Sequence, residues 1–169
     1  MLTRIQALNY RCLKRVDQSL TSFEVLVGGN GVGKSTFLDV VCLIGEIVRQ
    51  PRNGLASAFQ VRSGNFEDLL FDKAAGFFEL AVESTIPESV ASKTKLFGPS
   101  SVVRFQIKIG FTDTERTRIG IHEEQLLLRR SPSRERWVNP GTKRQDGTIP
   151  FCDEDSILEA SGFSLRGYP

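Results

Sequence analysis

Apolar and polar positions alternate with a period of two at the start of this chain. Residues 2 to 9 (LTRIQALN) predict a strand, and Lys14 to Leu20 predict a second, with Val16 and Leu20 set against Arg15, Asp17 and Ser19. A basic turn, Tyr10 to Leu13, joins them as a hairpin. Phe23 to Val27 (FEVLV) is nearly continuous and β-branched, the pattern of a strand covered on both faces. The period then changes. Phe37, Val40, Val41, Ile44, Ile47 and Val48 recur at helical spacing until Pro51 forbids continuation, so the spacing predicts a helix of roughly four turns. Pro51 to Gly54 reads as a turn and Leu55 to Val61 as a short helix.

The middle of the chain returns to alternation. Phe78, Leu80, Val82 and Ile86 alternate with Glu79 and Glu83, and Phe105, Ile107, Ile109 and Phe111 with Arg104, Gln106 and Lys108. Both runs predict half-buried strands. A third covers Arg118 to Ile121 and extends toward Leu128. Turn clusters at Gly98 to Ser101 and Thr112 to Thr114 space these as an antiparallel meander, not a second βαβ unit. Pro132, Pro140, Pro150 and Pro169 punctuate the remainder, which predicts a hairpin or irregular segment. The division is therefore 1–50 for hairpin, central strand and helix, 51–130 for an antiparallel β subdomain of the same lobe, and 131–169 for the irregular part.

Composition adds little to this outline. The 169 residues are 40% hydrophobic and 25% charged, the range of an ordinary globular domain. Twenty-two Lys and Arg against 20 Asp and Glu leave +2, too near balance for charge alone to announce a nucleic-acid or membrane partner. The apolar stretch Val40 to Gly45 lies between Asp39 and Glu46 and falls far short of a bilayer span, and the first residues carry no secretory signal. A cytoplasmic protein is expected. Cys12, Cys42 and Cys152 are odd in number and far apart, as reduced thiols rather than a disulfide framework, and with His122 the one histidine, no metal-ligand spacing arises.

One segment carries chemistry. Between the apolar run and the helix lies GGNGVGKST, Gly28 to Thr36, in which Gly28, Gly33, Lys34 and Ser35 satisfy G-x-x-x-x-G-K-[ST]. Glycines let successive backbone N–H groups curl inward around phosphate oxygens where a Cβ would collide. Lys34 supplies a cation for the β- and γ-phosphates, the Ser35 hydroxyl is placed to ligate Mg²⁺, and the start of the helix adds its partial positive charge. Average residue usage yields the four fixed positions by accident about once in 30,000 windows, so chance does not explain the match. The expected ligands are ATP and Mg²⁺.

The loop resembles the G-x-N-G-x-G-K-S-T form of ABC-type ATPases. Together with RIQALNYRCLK and RVDQSL before it, it resembles the SMC, RecF and OLD branch of that class, in which a strand, a short N-[FY]-[RK] turn and a second strand lead into the loop. The resemblance covers residues 1 to 50. SGNFEDLLF and FELAVESTIPE are similar to segments of uncharacterised bacterial RecF-like ATPases of the AAA family, with far less specific strings. The fold class implied is α/β, a P-loop NTPase, here the N-terminal lobe of an ABC-type head with an antiparallel β subdomain. The resemblance further implies that Gly28, Gly29, Asn30, Gly31, Val32, Gly33, Lys34, Ser35 and Thr36 bind the nucleotide, with Thr36 near the α-phosphate. Arg11 is the counterpart of the branch's basic residue beside the nucleotide, and Lys14 a weaker one. Tyr10 either packs on the first strand or stacks on adenine. Asn30 tolerates left-handed backbone and, by the resemblance, shapes the γ-phosphate end.

Other loop-bearing classes fit less well. Thr142-Lys143 is followed by Arg144 and Gln145, so no guanine-reading N/T-K-x-D forms, and a small-molecule kinase would follow its loop with alternating helices and strands. The later parts of an ABC-type site are missing as well. Gln60 and Gln106 lack glutamine-loop context, no L-S-x-G-x signature occurs, and Ile149 to Glu154 (IPFCDE) is broken by Pro150 as a Walker B strand. His122 lies too early to be a switch histidine. Without an acidic residue to hold Mg²⁺ and a glutamate to orient water, the loop binds nucleotide but has little means of cleaving it. No catalytic residue is therefore assigned. Hydrolysis is expected only when a C-terminal half or a homodimer partner completes the head, and marginal stability or a partner is expected for these residues alone. The alternative is a non-catalytic nucleotide-binding or interaction module from a truncated gene. Arg129, Arg130, Arg134, Arg136, Lys143 and Arg144, with Trp137 among them, could touch a nucleic-acid backbone, but a solvated loop fits their irregular spacing better.

Overall fold

The computed structural model describes residues 1–49, 54–91, 102–129 and 157–158. Strand β1 (Leu2–Tyr10) turns through Arg11 and Cys12 into β2 (Leu13–Ser19), the expected hairpin. Helix α1 (Lys34–Arg49) and helix α2 (Gly54–Gln60) follow. Then come β3 (Phe77–Thr85), the single-turn α3 (Glu88–Ala91), β4 (Val102–Phe111), β5 (Ile119–Arg129) and the two-residue β6 (Ile157–Leu158). The strands form one sheet in the order β2-β1-β3-β4-β5-β6, and each neighbouring pair is antiparallel. Because β1 pairs with β3, the sheet runs straight across the boundary at residue 50 expected from sequence. Residues 51–53 of the expected turn, the turn at Gly98–Ser101, the IPFCDE segment, and all of the basic cluster except Arg129 lie outside the described residues, and Gly54 already opens α2.

One face of the sheet carries the core. The register aligns Ile5 with Val82 and Ala7 with Leu80, and Leu80 with Ile107 and Phe78 with Ile109. Against them α1 presents Phe37, Val40, Leu43, Ile44 and Ile47, all buried. The helix is described as far as Arg49, within the limit that Pro51 sets on a helix by its missing N–H and ring. Val48, expected on the buried stripe, is exposed together with Leu38. Aromatic rings fill the lower part of this core: Phe78 contacts Tyr10 at 5.1 Å and Phe66 at 5.7 Å between centroids, and Phe66 meets Phe111 edge-on.

The expected strand at Phe23–Val27 is not there. Among the described residues this segment joins no ladder, and Phe23 (81% exposed), Val25 and Val27 (85%) stand in solvent. β1 has β2 on one side and β3 on the other, and along the remaining free edge, that of β2, the segment makes no pairing; it leaves the hairpin and crosses to α1 instead.

The second correction concerns the polar face. Glu79, Glu83 and Arg104 were expected on the solvent side of half-buried strands, yet all three are buried, with Glu83 at 0% exposure. Cross-strand register makes this tolerable. Glu83 faces Arg104 and Glu79 faces Lys108, with Arg104 Nη1 donating to Glu83 Oε1 at 2.8 Å and Lys108 Nζ 3.4 Å from Glu79 Oε1. Arg4 likewise donates to both carboxylate oxygens of Asp17. Burial pushes the Glu79 carboxyl up to about 7, Lys108 opposes the shift, and nearby Glu123 adds to it. A carboxyl whose folded pKa exceeds its unfolded value of about 4.3 binds its proton more tightly when folded. Its favourable contribution is therefore complete below pH ~4.3 and is lost as pH rises toward 7. Urea unfolding at pH 5, 6, 7 and 8 should show this as a decline of ~1–3 kcal/mol that Glu79→Gln flattens; parallel profiles for the two proteins would contradict it.

Candidate functional site

The loop between the hairpin and α1 is shaped by three glycines with positive φ: Gly28 (152°), Gly31 (80°) and Gly33 (100°). Asn30 does not take the left-handed backbone expected of it; Gly31 carries that turn, while Asn9 and Arg11 of the hairpin are the nearby non-glycine residues with positive φ. Lys34 folds back over the loop, its Nζ donating to Gly28 O at 2.8 Å and Gly29 O at 2.6 Å. α1 opens directly behind, with Phe37 N–H donating to Gly33 O at 2.8 Å. Ser35 is exposed in the first turn of α1, whose unpaired N–H groups and dipole favour an anion in front of it.

The hairpin turn touches this loop. Cys12 Sγ lies 3.3 Å from Thr36 Oγ1, and a Cβ added to Gly33 would meet Cys12 Sγ at 3.0 Å and Leu13 Cδ2 at 3.1 Å. Loop and turn are thus in van der Waals contact only because residue 33 has no side chain. The turn is itself braced by residues 69–77. Arg11 N–H donates to Leu69 O at 2.8 Å and Phe71 N–H to Asn9 O, while the Asn9 side-chain amide donates to Asp72 O and Phe77 O and accepts from Asp72 N–H. Five side-chain and backbone bonds therefore fix the Asn9-Tyr10-Arg11 corner. The segment SGNFEDLLF, whose sequence was unspecific, supplies the adjoining wall: Tyr10 also bridges to Leu70.

Tyr10 belongs to the core. It is fully buried, and of its two expected roles, packing is the one observed; its ring is not open to an adenine. Its hydroxyl donates to Asp39 Oδ2 at 2.6 Å. Burial, followed by that bond, pushes the phenol well above its ordinary range. Asp39, on the second turn of α1, also receives Arg62 Nε at 2.9 and 3.0 Å and pairs with Arg62 Nη2 at 2.7 Å. Arg62 Nη1 donates to Glu46 Oε2 at 2.5 Å and to Ala58 O. Burial works against the Arg62 charge, but the bonds to Asp39 and Glu46 outweigh it and raise its pKa. Arg11 Nη1 lies 3.8 Å from Asp39 Oδ2, with 40% of its side chain exposed.

Of the expected binding residues, Gly28–Thr36 form the loop and the start of α1, the turn that carries Arg11 touches them through Cys12, and the Arg11 guanidinium lies toward Asp39 of α1; Lys14 is exposed on β2. Asp39, Arg62 and Glu46 were not anticipated. The signal for Asp39 was its acidity within an otherwise apolar helix; Arg62, 23 residues away, gave none. The carboxylate of Asp39 is committed to Arg62 and Tyr10, which leaves the exposed Ser35 hydroxyl as the uncommitted oxygen in the first turn of α1, the position expected from sequence to meet Mg²⁺. No group of three or more His, Cys, Asp or Glu side chains among the described residues could hold a metal by itself. Cys12 and Cys42 are free and exposed. Among the described residues no helix is long and apolar enough to cross a membrane. No family model matches the chain, and comparison with curated proteins finds no match either.

Proposed function

We propose that this chain binds Mg-ATP through Gly28–Thr36, as the N-terminal lobe of an ABC-type ATPase of the RecF/SMC kind. The observation that carries the reading is the loop itself: three positive-φ glycines, a lysine folded over the concavity, and a 16-residue helix starting at its rim. The Lys34 ammonium donates to the carbonyls of Gly28 and Gly29. A triphosphate offers the same cation anionic oxygens, which make stronger bonds than neutral carbonyls. Arg11 lies on the hairpin side and Ser35 on the helix side.

Binding and cleavage separate in this reading. The sequence shows no Walker B, signature or switch-histidine pattern, so in this reading a C-terminal half or a second subunit supplies them. Exposure of Phe23, Val25, Leu26 and Val27, and of Leu38 and Val48 on α1, supports a partner that covers apolar surface next to the loop. Calorimetric titration with ATP tests the first half of the proposal. Binding that weakens severalfold when Mg²⁺ is chelated, and whose Mg²⁺ dependence is blunted in Ser35→Ala, is expected; no heat of binding from ATP with or without Mg²⁺ would overturn it. Lys34-dependent turnover of ATP by the purified chain alone would overturn the need for a partner.

A further inference from the structure

Two cations of this site sit against one carboxylate. Asp39 Oδ1 accepts from Arg62 Nε and lies 2.7 Å from Arg62 Nη2; Oδ2 accepts from Tyr10 and from Arg62 Nε. Arg11 reaches the same oxygen only at 3.8 Å, beyond hydrogen-bond distance. The two arginines differ in freedom. The Arg62 side chain is 5% exposed and anchored at both ends of its guanidinium by Asp39, Glu46 and Ala58 O. The Arg11 backbone is fixed by its left-handed φ of 50° and by Leu69 O, but its side chain is two-fifths exposed and its guanidinium makes no close bond to Asp39.

We propose that Arg62 is a positioning residue for the anion site: by saturating Asp39 it keeps that carboxylate from capturing Arg11, and so leaves the Arg11 guanidinium available to the polyphosphate of a nucleotide. The proposal rests on the reading that Gly28–Thr36 binds a nucleoside triphosphate. Its physics is a competition. With Arg62 present the partly buried Asp39 is already neutralised, and Arg11 gains little by closing the last ångström. Remove the Arg62 charge, and Asp39 keeps only the Tyr10 hydroxyl. Arg11 then becomes the neighbouring cation able to compensate it, and a guanidinium clamped to a carboxylate is lost to the phosphates. At the dielectric of a protein surface the closure from 3.8 Å to bonding distance corresponds to about a tenfold preference.

Two readouts test this. The first is the rate at which phenylglyoxal modifies Arg11, followed by peptide mass spectrometry in the absence of nucleotide. Arg62→Ala should slow that rate severalfold, and adding Asp39→Asn should restore it. The second is ATP affinity, expected to fall about tenfold in Arg62→Ala and to recover in the Asp39→Asn, Arg62→Ala double variant. A purely structural role for Arg62 predicts the reverse, because the double variant retains fewer bonds than the single one. An unchanged or faster Arg11 modification in Arg62→Ala, or a double variant as weak in ATP binding as the single, overturns the proposal. If Arg62→Ala does not fold, Asp39→Asn alone decides: Arg11 must then react at least as fast as in the wild type, and a slower rate overturns the proposal. Wild-type protein that takes up no ATP would sink the nucleotide reading, while the phenylglyoxal series would still decide whether the two arginines compete for Asp39.

Discussion

Lys34→Ala should weaken ATP binding by about 100-fold, corresponding to ~3 kcal/mol, while leaving the melting temperature nearly unchanged. The first half follows from charge. The Lys34 ammonium is the cation that the loop folds over its own concavity, held there by Gly28 O and Gly29 O at 2.8 and 2.6 Å. A charge-assisted bond to phosphate is stronger than either carbonyl bond it replaces, so the lysine contributes more to the bound state than to the free one. The second half follows from exposure. Gly28 and Gly29 are in solvent, and water replaces the ammonium on their carbonyls when the side chain is removed. The core residues of α1 begin only at Phe37. Titration calorimetry together with a thermal melt reads both. Equal affinities for the two proteins would remove the loop from the binding site; a large loss of melting temperature would show that the lysine serves the fold instead.

How much of this was legible in the sequence depended on the range of the interaction. The hairpin, α1 and strands β3 to β5 were readable because each rests on a local period: alternation fixes which strand face turns inward, and Phe37, Val40, Ile44 and Ile47 fix the helix stripe. Phe23–Val27 misled for the same reason. Its β-branched run states a preference for a covered strand, but whether any strand lies alongside is decided by sheet order, which residues 23–27 do not encode. Glu83 and Arg104 misled in the opposite sense, since a charge reads as solvent-facing until its cross-strand partner is known. In the candidate site the glycines and Lys34 were readable from spacing. The Tyr10–Asp39–Arg62–Glu46 network was not, because it joins β1, α1 and the turn after α2 through side chains up to 52 residues apart, and each is unremarkable within its own segment. Local physics thus marked the glycine loop and its lysine, and tertiary packing decided which carboxylates and cations pair behind it.

A pair of glycine substitutions separates the loop's shape from its attachment to the hairpin. Gly31 and Gly33 both have positive φ, 80° and 100°, so alanine at either strains the backbone by ~1–2 kcal/mol. Around Gly31 nothing lies within 4 Å of an added Cβ, and its cost should stop there. At Gly33 the added methyl would press on Cys12 Sγ at 3.0 Å and Leu13 Cδ2 at 3.1 Å. Leu13 is buried and Cys12 belongs to a corner fixed by Asn9 and Leu69, so neither side gives way freely, and the loop must lift from the turn. Gly33→Ala should therefore cost ~2–4 kcal/mol in urea unfolding and reduce ATP affinity beyond measurement, whereas Gly31→Ala loses about tenfold in binding. Adding Cys12→Ala to Gly33→Ala removes the closer of the two contacts while leaving the φ strain, so part of the lost stability should return. If Gly33→Ala and Gly31→Ala behave alike, backbone strain alone governs the loop. If Cys12→Ala restores nothing, the contact between loop and turn does not limit the geometry of the anion site.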